Sequence, residues 1–239
     1  MRERRPKDIR QYDTAPAGPS SRALRWFSQR MVLKPLVWSL TSVEVTGLSN
    51  LATLDGPFVL VANHSSHLDT PLLLGALPGR LGTTVGVGAA ADYFFDARWR
   101  AILTGTVFNA FPVARNGSGR RGLAVSLLEK GQPVMVFPEG TRSRDGEMHE
   151  FTPGAAALCI KQGVPCLPVG LRGAYAAMPR GHNWPVRGRP RVQVSFGAPM
   201  YPNPDETAGQ FTVRIATIVA ELRGAAGPAS ASGRRARAS

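Results

Sequence analysis

Residues 63–69, Asn-His-Ser-Ser-His-Leu-Asp, hold two of the chain's four histidines and a carboxylate, directly behind the apolar run 57–62. An imidazole beside a carboxylate can take a proton from a hydroxyl. The acid fixes the ring's tautomer and supports its positive charge. His64 and Asp69 are five positions apart. On an ideal helix that spacing is a rotation of ~500°, so the two would share no face. They can meet only if His64 precedes the first turn and its ring folds back over the helix start. A structural alternative fits the same residues: Ser66 caps a helix, Asp69 is the acidic half of a capping box, and His64 is a loop residue. His67 lies two residues from Asp69, nearly opposite it on a helix, and reads as surface or substrate rim.

Two further stretches carry functional side chains. In Ala-Phe-Pro-Val-Ala-Arg (residues 110–115), Arg115 ends an apolar run and opens a Gly-rich loop. Its planar fork suits a phosphate if it faces the same crevice; otherwise it is a solvated surface cation. In residues 134–146 a short strand leads through Pro138 into Glu139-Gly140-Thr141-Arg142. Gly140 permits close backbone approach to a ligand, and Thr141 and Arg142 add a hydroxyl and a second guanidinium. A β-turn with surface charges would look the same. The case for a site is that His/Asp, Arg and Glu-Gly-Thr-Arg all follow strands of what reads as one sheet.

The positioning elements alternate. Residues 57–62 read as a buried strand, followed by a helix from Ser65 or Ser66. Residues 83–90 read as a strand, 97–105 as a helix ended by Gly105, and 111–115 as a short strand or loop. Leu123, Ala124, Leu127 and Leu128 mark a helix face with Gly131 as terminator. Strand 133–138, helix 153–163, strands 164–173 and 191–197, and an amphipathic helix over Phe211, Ile215, Ile218, Val219 and Leu222 complete the pattern. This order predicts a single α/β domain, a mixed sheet flanked by helices. Ahead of it, Leu24, Phe27 and Met31 and, less regularly, Leu36 and Leu40 recur at helical spacing, with Arg22, Arg25, Arg30 and Lys34 in the gaps and Pro35 as a break or kink. This amphipathic segment, residues 21–41, fits either the surface of an anionic bilayer or ordinary packing on the domain. The expected domain spans 21–223, between disordered basic stretches at 1–20 and 224–239.

Composition sets outer bounds. Of 239 residues 43% are hydrophobic, enough for a core, and the net charge of +13 favours anionic partners such as lipid headgroups or phosphorylated substrates. A nucleic-acid module is the rival from another class. The chain has no zinc-finger spacing and no aromatic RNA-binding run, and its basic residues concentrate at the termini. Cys159 and Cys166 read as buried free thiols in a reducing compartment. No metal-ligand pattern is evident. No apolar run reaches the ~18–20 residues of a spanning helix, and the charged start lacks the apolar core of a signal peptide.

In order and spacing, "NHSSHLD", "FPVAR", "FPEGTRSR" and "VPCLPV" resemble the four motif blocks of the glycerolipid acyltransferases, most closely bacterial 1-acylglycerol-3-phosphate acyltransferases. The resemblance covers residues 43–198. It implies His64 as catalytic base and Asp69 as its partner. It implies that Arg115 binds the acceptor's phosphate, and that Glu139, Gly140, Thr141 and Arg142 shape the acceptor site, with Arg142 a second phosphate contact. Residues 164–169 would form a strand lining the site. The implied reaction moves an acyl group from acyl-CoA or acyl-carrier protein to lysophosphatidic acid, making phosphatidic acid without a cofactor; another lysophospholipid, glycerol 3-phosphate or a glycolipid is the alternative acceptor. The implied setting is the cytoplasmic face of the membrane, with peripheral attachment to its anionic surface. Backbone N–H groups at the helix start after His64 would meet the thioester oxygen. Two departures bear on the headgroup. Ala110 stands where the family often has Gly, and Thr152 in Phe-Thr-Pro-Gly stands where many members have Lys, with Arg144 or Arg172 the expected compensation.

Overall fold

The computed structural model describes residues 19–90, 107–113, 121–182 and 184–224. Seven strands form one mixed sheet: β1 (Ser42–Thr46), β2 (Val59–Ala62), β3 (Gly86–Ala90), β4 (Ala110–Val113), β5 (Val134–Val136), β6 (Cys166–Arg172) and β7 (Arg191–Phe196). Their order is β1-β7-β6-β2-β5-β3-β4. β7 runs antiparallel to β6 and parallel to β1; the remaining pairs are parallel. The expected single α/β domain is therefore the observed one. The terminal stretches expected to be disordered, 1–20 and 224–239, lie almost wholly outside the described residues. The expected helix over 97–105 lies outside them too.

β2 sits at the centre because every one of its residues is apolar and buried. Its period of two splits the core. Leu60 and Ala62 join a cluster with Leu72, Leu74 and Met178, while Val59 and Val61 join one with Phe111, Leu127 and Val219. The first face is covered by α2 (Lys34–Leu40), α3 (Asp69–Ala76), α4 (Gly79–Thr84) and α7 (Ala174–Ala177). The second is covered by α5 (Arg121–Glu129), α6 (Gly154–Gln162) and α8 (Ala208–Gly224). Gly170 in β6 lets α8 lie directly on the sheet: a Cβ there would come within 2.4 Å of the Arg223 main-chain nitrogen. Cys159 and Cys166 are both free and buried.

Two boundaries differ from those expected. Thr83 and Thr84 close α4 instead of opening β3. Their hydroxyls donate back to the carbonyls of Gly79, Arg80 and Leu81, a local alternative that holds the helical turn. The helix after β2 begins at Asp69, not at Ser65 or Ser66, because the N–H groups of those two serines are captured by a side chain instead of entering a helical ladder. β1 was not anticipated, although Val43 and Val45 alternate within it and pack on the core.

The N-terminal segment is helical as expected: α1 (Pro19–Phe27), a π-helical stretch (Ser28–Leu33) and then α2. The widened turn sits immediately before Pro35, whose ring cannot fit an ordinary i→i−4 ladder. Its faces are arranged in an unusual way. Arg25 is only 4% exposed and donates to the Thr83 carbonyl at 2.9 Å. Arg30 donates to the carbonyls of Gly75 and Leu77, and Gln29 to that of Val107. Arg25 and Arg30 thus satisfy the carbonyl ends of α4 and α3, where positive charge is favoured. Leu24, Trp26, Phe27, Met31, Val32 and Leu36 point outward, each more than 40% exposed. Among the described residues no helix is long and apolar enough to cross a membrane.

Candidate active site

β2 and β5 are neighbouring parallel strands, so the loops that follow them emerge side by side at the carboxyl edge of the sheet, where α/β folds place their sites. Asn63 starts the first loop. Its amide donates to the Leu171 carbonyl at 3.0 Å and accepts from the Leu171 N–H at 2.8 Å, so a side chain continues the β2–β6 ladder for one more rung. Sequence reading assigned Asn63 no role, because its partner is 108 residues away.

That rung fixes where His64 departs. His64 Nδ1 lies 2.8 Å from Asp69 Oδ2; the acid is fully buried and the imidazole 20% exposed. The five-residue spacing works because neither residue is inside a helix turn together with the other: Asp69 is the first helical residue and His64 precedes it in the loop. The same Oδ2 accepts from the N–H groups of Ser65 at 2.7 Å and Ser66 at 2.8 Å. Capping and His–Asp pairing, posed above as alternatives, are therefore one arrangement. Ser66 does not cap in the expected way: its hydroxyl donates to the Met178 carbonyl and accepts from the Leu68 N–H. Asp69 Oδ1 is buried without a hydrogen-bond partner. A carboxylate facing His64 Nδ1 selects the tautomer protonated there and leaves the lone pair on Nε2.

The second loop braces the first. Pro138 and Gly140 close a tight turn through Gly140 N–H to the Phe137 carbonyl, 3.0 Å, with Gly140 at φ 72°, where glycine is favoured. Phe137 stacks on the His64 ring, centroids 4.1 Å apart and planes 18° from parallel. The Ser143 N–H donates to the His64 carbonyl at 2.8 Å. Glu139 Oε1 accepts from the His64 N–H at 2.6 Å, and Oε2 from the His149 N–H at 3.0 Å. Burial pushes the Glu139 carboxyl above its ordinary value, against the pull of those two N–H groups. Thr152, where the resemblance leads one to expect Lys in many members, donates through both N–H and hydroxyl to the Pro138 carbonyl, so this position ties down the loop.

His67 is half-buried beside the same groups. Burial first, then the neighbouring Arg142 guanidinium and His64 ring, push it down to about 4. Of the two places expected for it, surface or substrate rim, its half-buried position beside Arg142 and His64 corresponds to the rim. Arg142 is half-buried and Thr141 exposed. Arg180, which sequence reading did not single out, donates from Nη1 to the Arg142 carbonyl at 3.4 Å and adds a cation to this rim. Arg144 and Arg172 are both exposed. Of residues 164–169, those from Cys166 on lie in β6, and Val164 and Pro165 precede it. Arg115 lies outside the described residues. Of the expected helix-start donors, the N–H groups of Ser65, Ser66, Leu68 and Asp69 donate within the loop, and that of His64 goes to Glu139.

The acyltransferase family model matches residues 42–172. A chloroplastic 1-acyl-sn-glycerol-3-phosphate acyltransferase of Brassica napus is 31% identical over 167 residues, 69% of this chain and 47% of that protein. A 1-acyl-sn-glycerol-3-phosphate acyltransferase of Pseudomonas aeruginosa is 37% identical over 163 residues, 66% of this chain and 59% of that protein. The chain spans about half the length of the plant relatives. Among solved structures, the 1-acyl-sn-glycerophosphate acyltransferase PlsC of Thermotoga maritima superposes with a TM-score of 0.63 at 26% identity, covering 85% of this chain and 77% of that one.

The depressed His67 has a consequence for stability. Between its ordinary value of 6.5 and about 4 the unfolded chain holds a proton that the folded chain does not. Stability therefore rises with pH across that window and falls on acidification. Urea unfolding at pH 4.5 and 7 checks this: His67→Gln should lose less stability on acidification than the parent.

Proposed function

The chain belongs to the acyltransferase family, and from that premise we propose that it transfers a fatty acyl group from an acyl thioester to the free hydroxyl of 1-acyl-glycerol-3-phosphate, giving phosphatidic acid. The observation that carries the reading is the His64–Asp69 pair, with Nδ1 anchored at 2.8 Å and Nε2 left as the base. His64 takes the acceptor's hydroxyl proton as the oxygen attacks the thioester carbonyl. The tetrahedral intermediate then collapses, and the proton passes from His64 to the leaving thiolate. Asp69 holds the imidazolium in place and stabilises it. Direct attack needs no enzyme nucleophile, and the two cysteines are buried away from the His64 loop in the opposite core cluster.

Arg115 and Arg142 are the proposed phosphate contacts, with Gly140 and Thr141 in the wall of the acceptor site. The half-buried position of Arg142 near His67 supports its part in this. The 1-acyl-sn-glycerol-3-phosphate named for the relatives supports the acceptor. Thr152 in place of the family's Lys favours keeping a second acceptor in view: another lysophospholipid, glycerol 3-phosphate or a glycolipid. Acyl-CoA and acyl-carrier protein are both admissible donors, and the reaction needs no cofactor. A peripheral location on the cytoplasmic face of an anionic membrane accords with the outward apolar face of residues 24–36 and with the free thiols.

Incubating the protein with labelled acyl-CoA and a panel of lysolipids tests the reaction. Phosphatidic acid is the expected product, and His64→Ala should lose at least ~10²-fold in turnover, the scale of general-base catalysis. Hydrolysis alone, or a variant with near-parent turnover, would overturn the assignment. The membrane reading makes a separate prediction. Replacing Trp26, Phe27 and Met31 together by Ser should weaken co-sedimentation with anionic vesicles and leave turnover on detergent-dispersed substrate near that of the parent.

A further inference from the structure

We infer that Glu139 is a positioning residue for His64, a clamp on the main chain that carries the imidazole, and not a group that binds the acceptor. The inference rests on the reading of His64 as the base. Both carboxylate oxygens of Glu139 accept main-chain N–H groups, Oε1 from His64 at 2.6 Å and Oε2 from His149 at 3.0 Å. One side chain thus ties the loop after β2 to the segment that returns toward α6. Its neighbours act on the same residue: Ser143 N–H holds the His64 carbonyl, and Phe137 lies on the ring face.

A run of three N–H groups makes the design plain. His64, Ser65 and Ser66 donate in succession, the first to Glu139 and the next two to Asp69. Two carboxylates therefore set the path of the loop on either side of the imidazole, and Asp69 also sets the ring. Glu139 is half-buried, and its negative charge is already met by these donors. A carboxylate offered to a phosphorylated acceptor would repel it; Arg142, three residues on, has the charge that such a ligand requires. The burial that raises the Glu139 carboxyl fits a group enclosed in the scaffold.

Removing the clamp should misplace Nε2 and spare acceptor binding. A displacement near 1 Å can cost ~10²-fold in rate. The test uses the full chain and compares Glu139→Gln, Glu139→Ala and, as control, Arg142→Ala by steady-state kinetics with lysophosphatidic acid. The Glu139 variants should lose about 10- to 100-fold in kcat with acceptor KM within ~2-fold of the parent, Gln losing less than Ala because it keeps one acceptor oxygen. Arg142→Ala should instead raise KM. A spectroscopic readout stands apart from activity: in amide NMR of labelled protein, Glu139→Gln should move the His64 N–H resonance upfield and leave Ser65 and Ser66 near their parent positions. Either a raised acceptor KM in the Glu139 variants or an unmoved His64 resonance would overturn the inference. A parent protein inactive on every acceptor would sink the reaction reading alone, and the resonance shift would still decide the role of Glu139.

Discussion

One oxygen atom organises this molecule. Asp69 Oδ2 accepts from the His64 ring and from two consecutive main-chain N–H groups, in a place closed to solvent. Leaving a buried carboxylate unpaired is costly, so this cluster forms together or not at all. Its geometry decides where α3 starts, how the loop from β2 turns, and which nitrogen of the imidazole keeps its lone pair. The start of α3 adds favourable backbone dipole to the same carboxylate.

The rest of the fold holds that cluster still. β2, buried on both faces, delivers Asn63 to the sheet edge, and the Asn63–Leu171 pair fixes the last rung to β6. On the other side β5 delivers Phe137 and Glu139 beside the imidazole. His64 is thus gripped by ring face, Nδ1, N–H and carbonyl from two neighbouring loops. The N-terminal segment follows a different logic. Its guanidinium groups turn inward to the carbonyl ends of α3 and α4, so its apolar side chains are left outside. The stretch read as basic face toward headgroups therefore uses Arg25 and Arg30 to attach itself to the domain.

Much of this was legible in the sequence because it is local. The all-apolar run of β2 and the 3.6-residue spacing of Phe211, Ile215 and Val219 in α8 announce elements of the sheet and its cover. So does the short spacing from His64 to Asp69, whose two structural readings meet at one oxygen through separate hydrogen bonds. What stayed hidden depends on distant partners. Nothing near Asn63 points to Leu171, and nothing near Glu139 says that its oxygens are spent on His64 and His149. The inward turn of Arg25 could not be read either, since amphipathic spacing gives a face but not what the face meets. β1 carried a weak alternating signal in Val43 and Val45 that a five-residue edge strand makes easy to pass over.

The central claim is that Asp69 steers His64 as the base, and Asp69→Asn addresses it most directly. The amide keeps an oxygen for the Ser65 and Ser66 N–H groups, so the unfolding midpoint reports whether the loop survives. Acyl transfer to lysophosphatidic acid is then measured on the folded variant. The account predicts a fall in turnover of ~10²–10⁴ with the fold retained. A folded Asp69→Asn protein that turns over like the parent would contradict it.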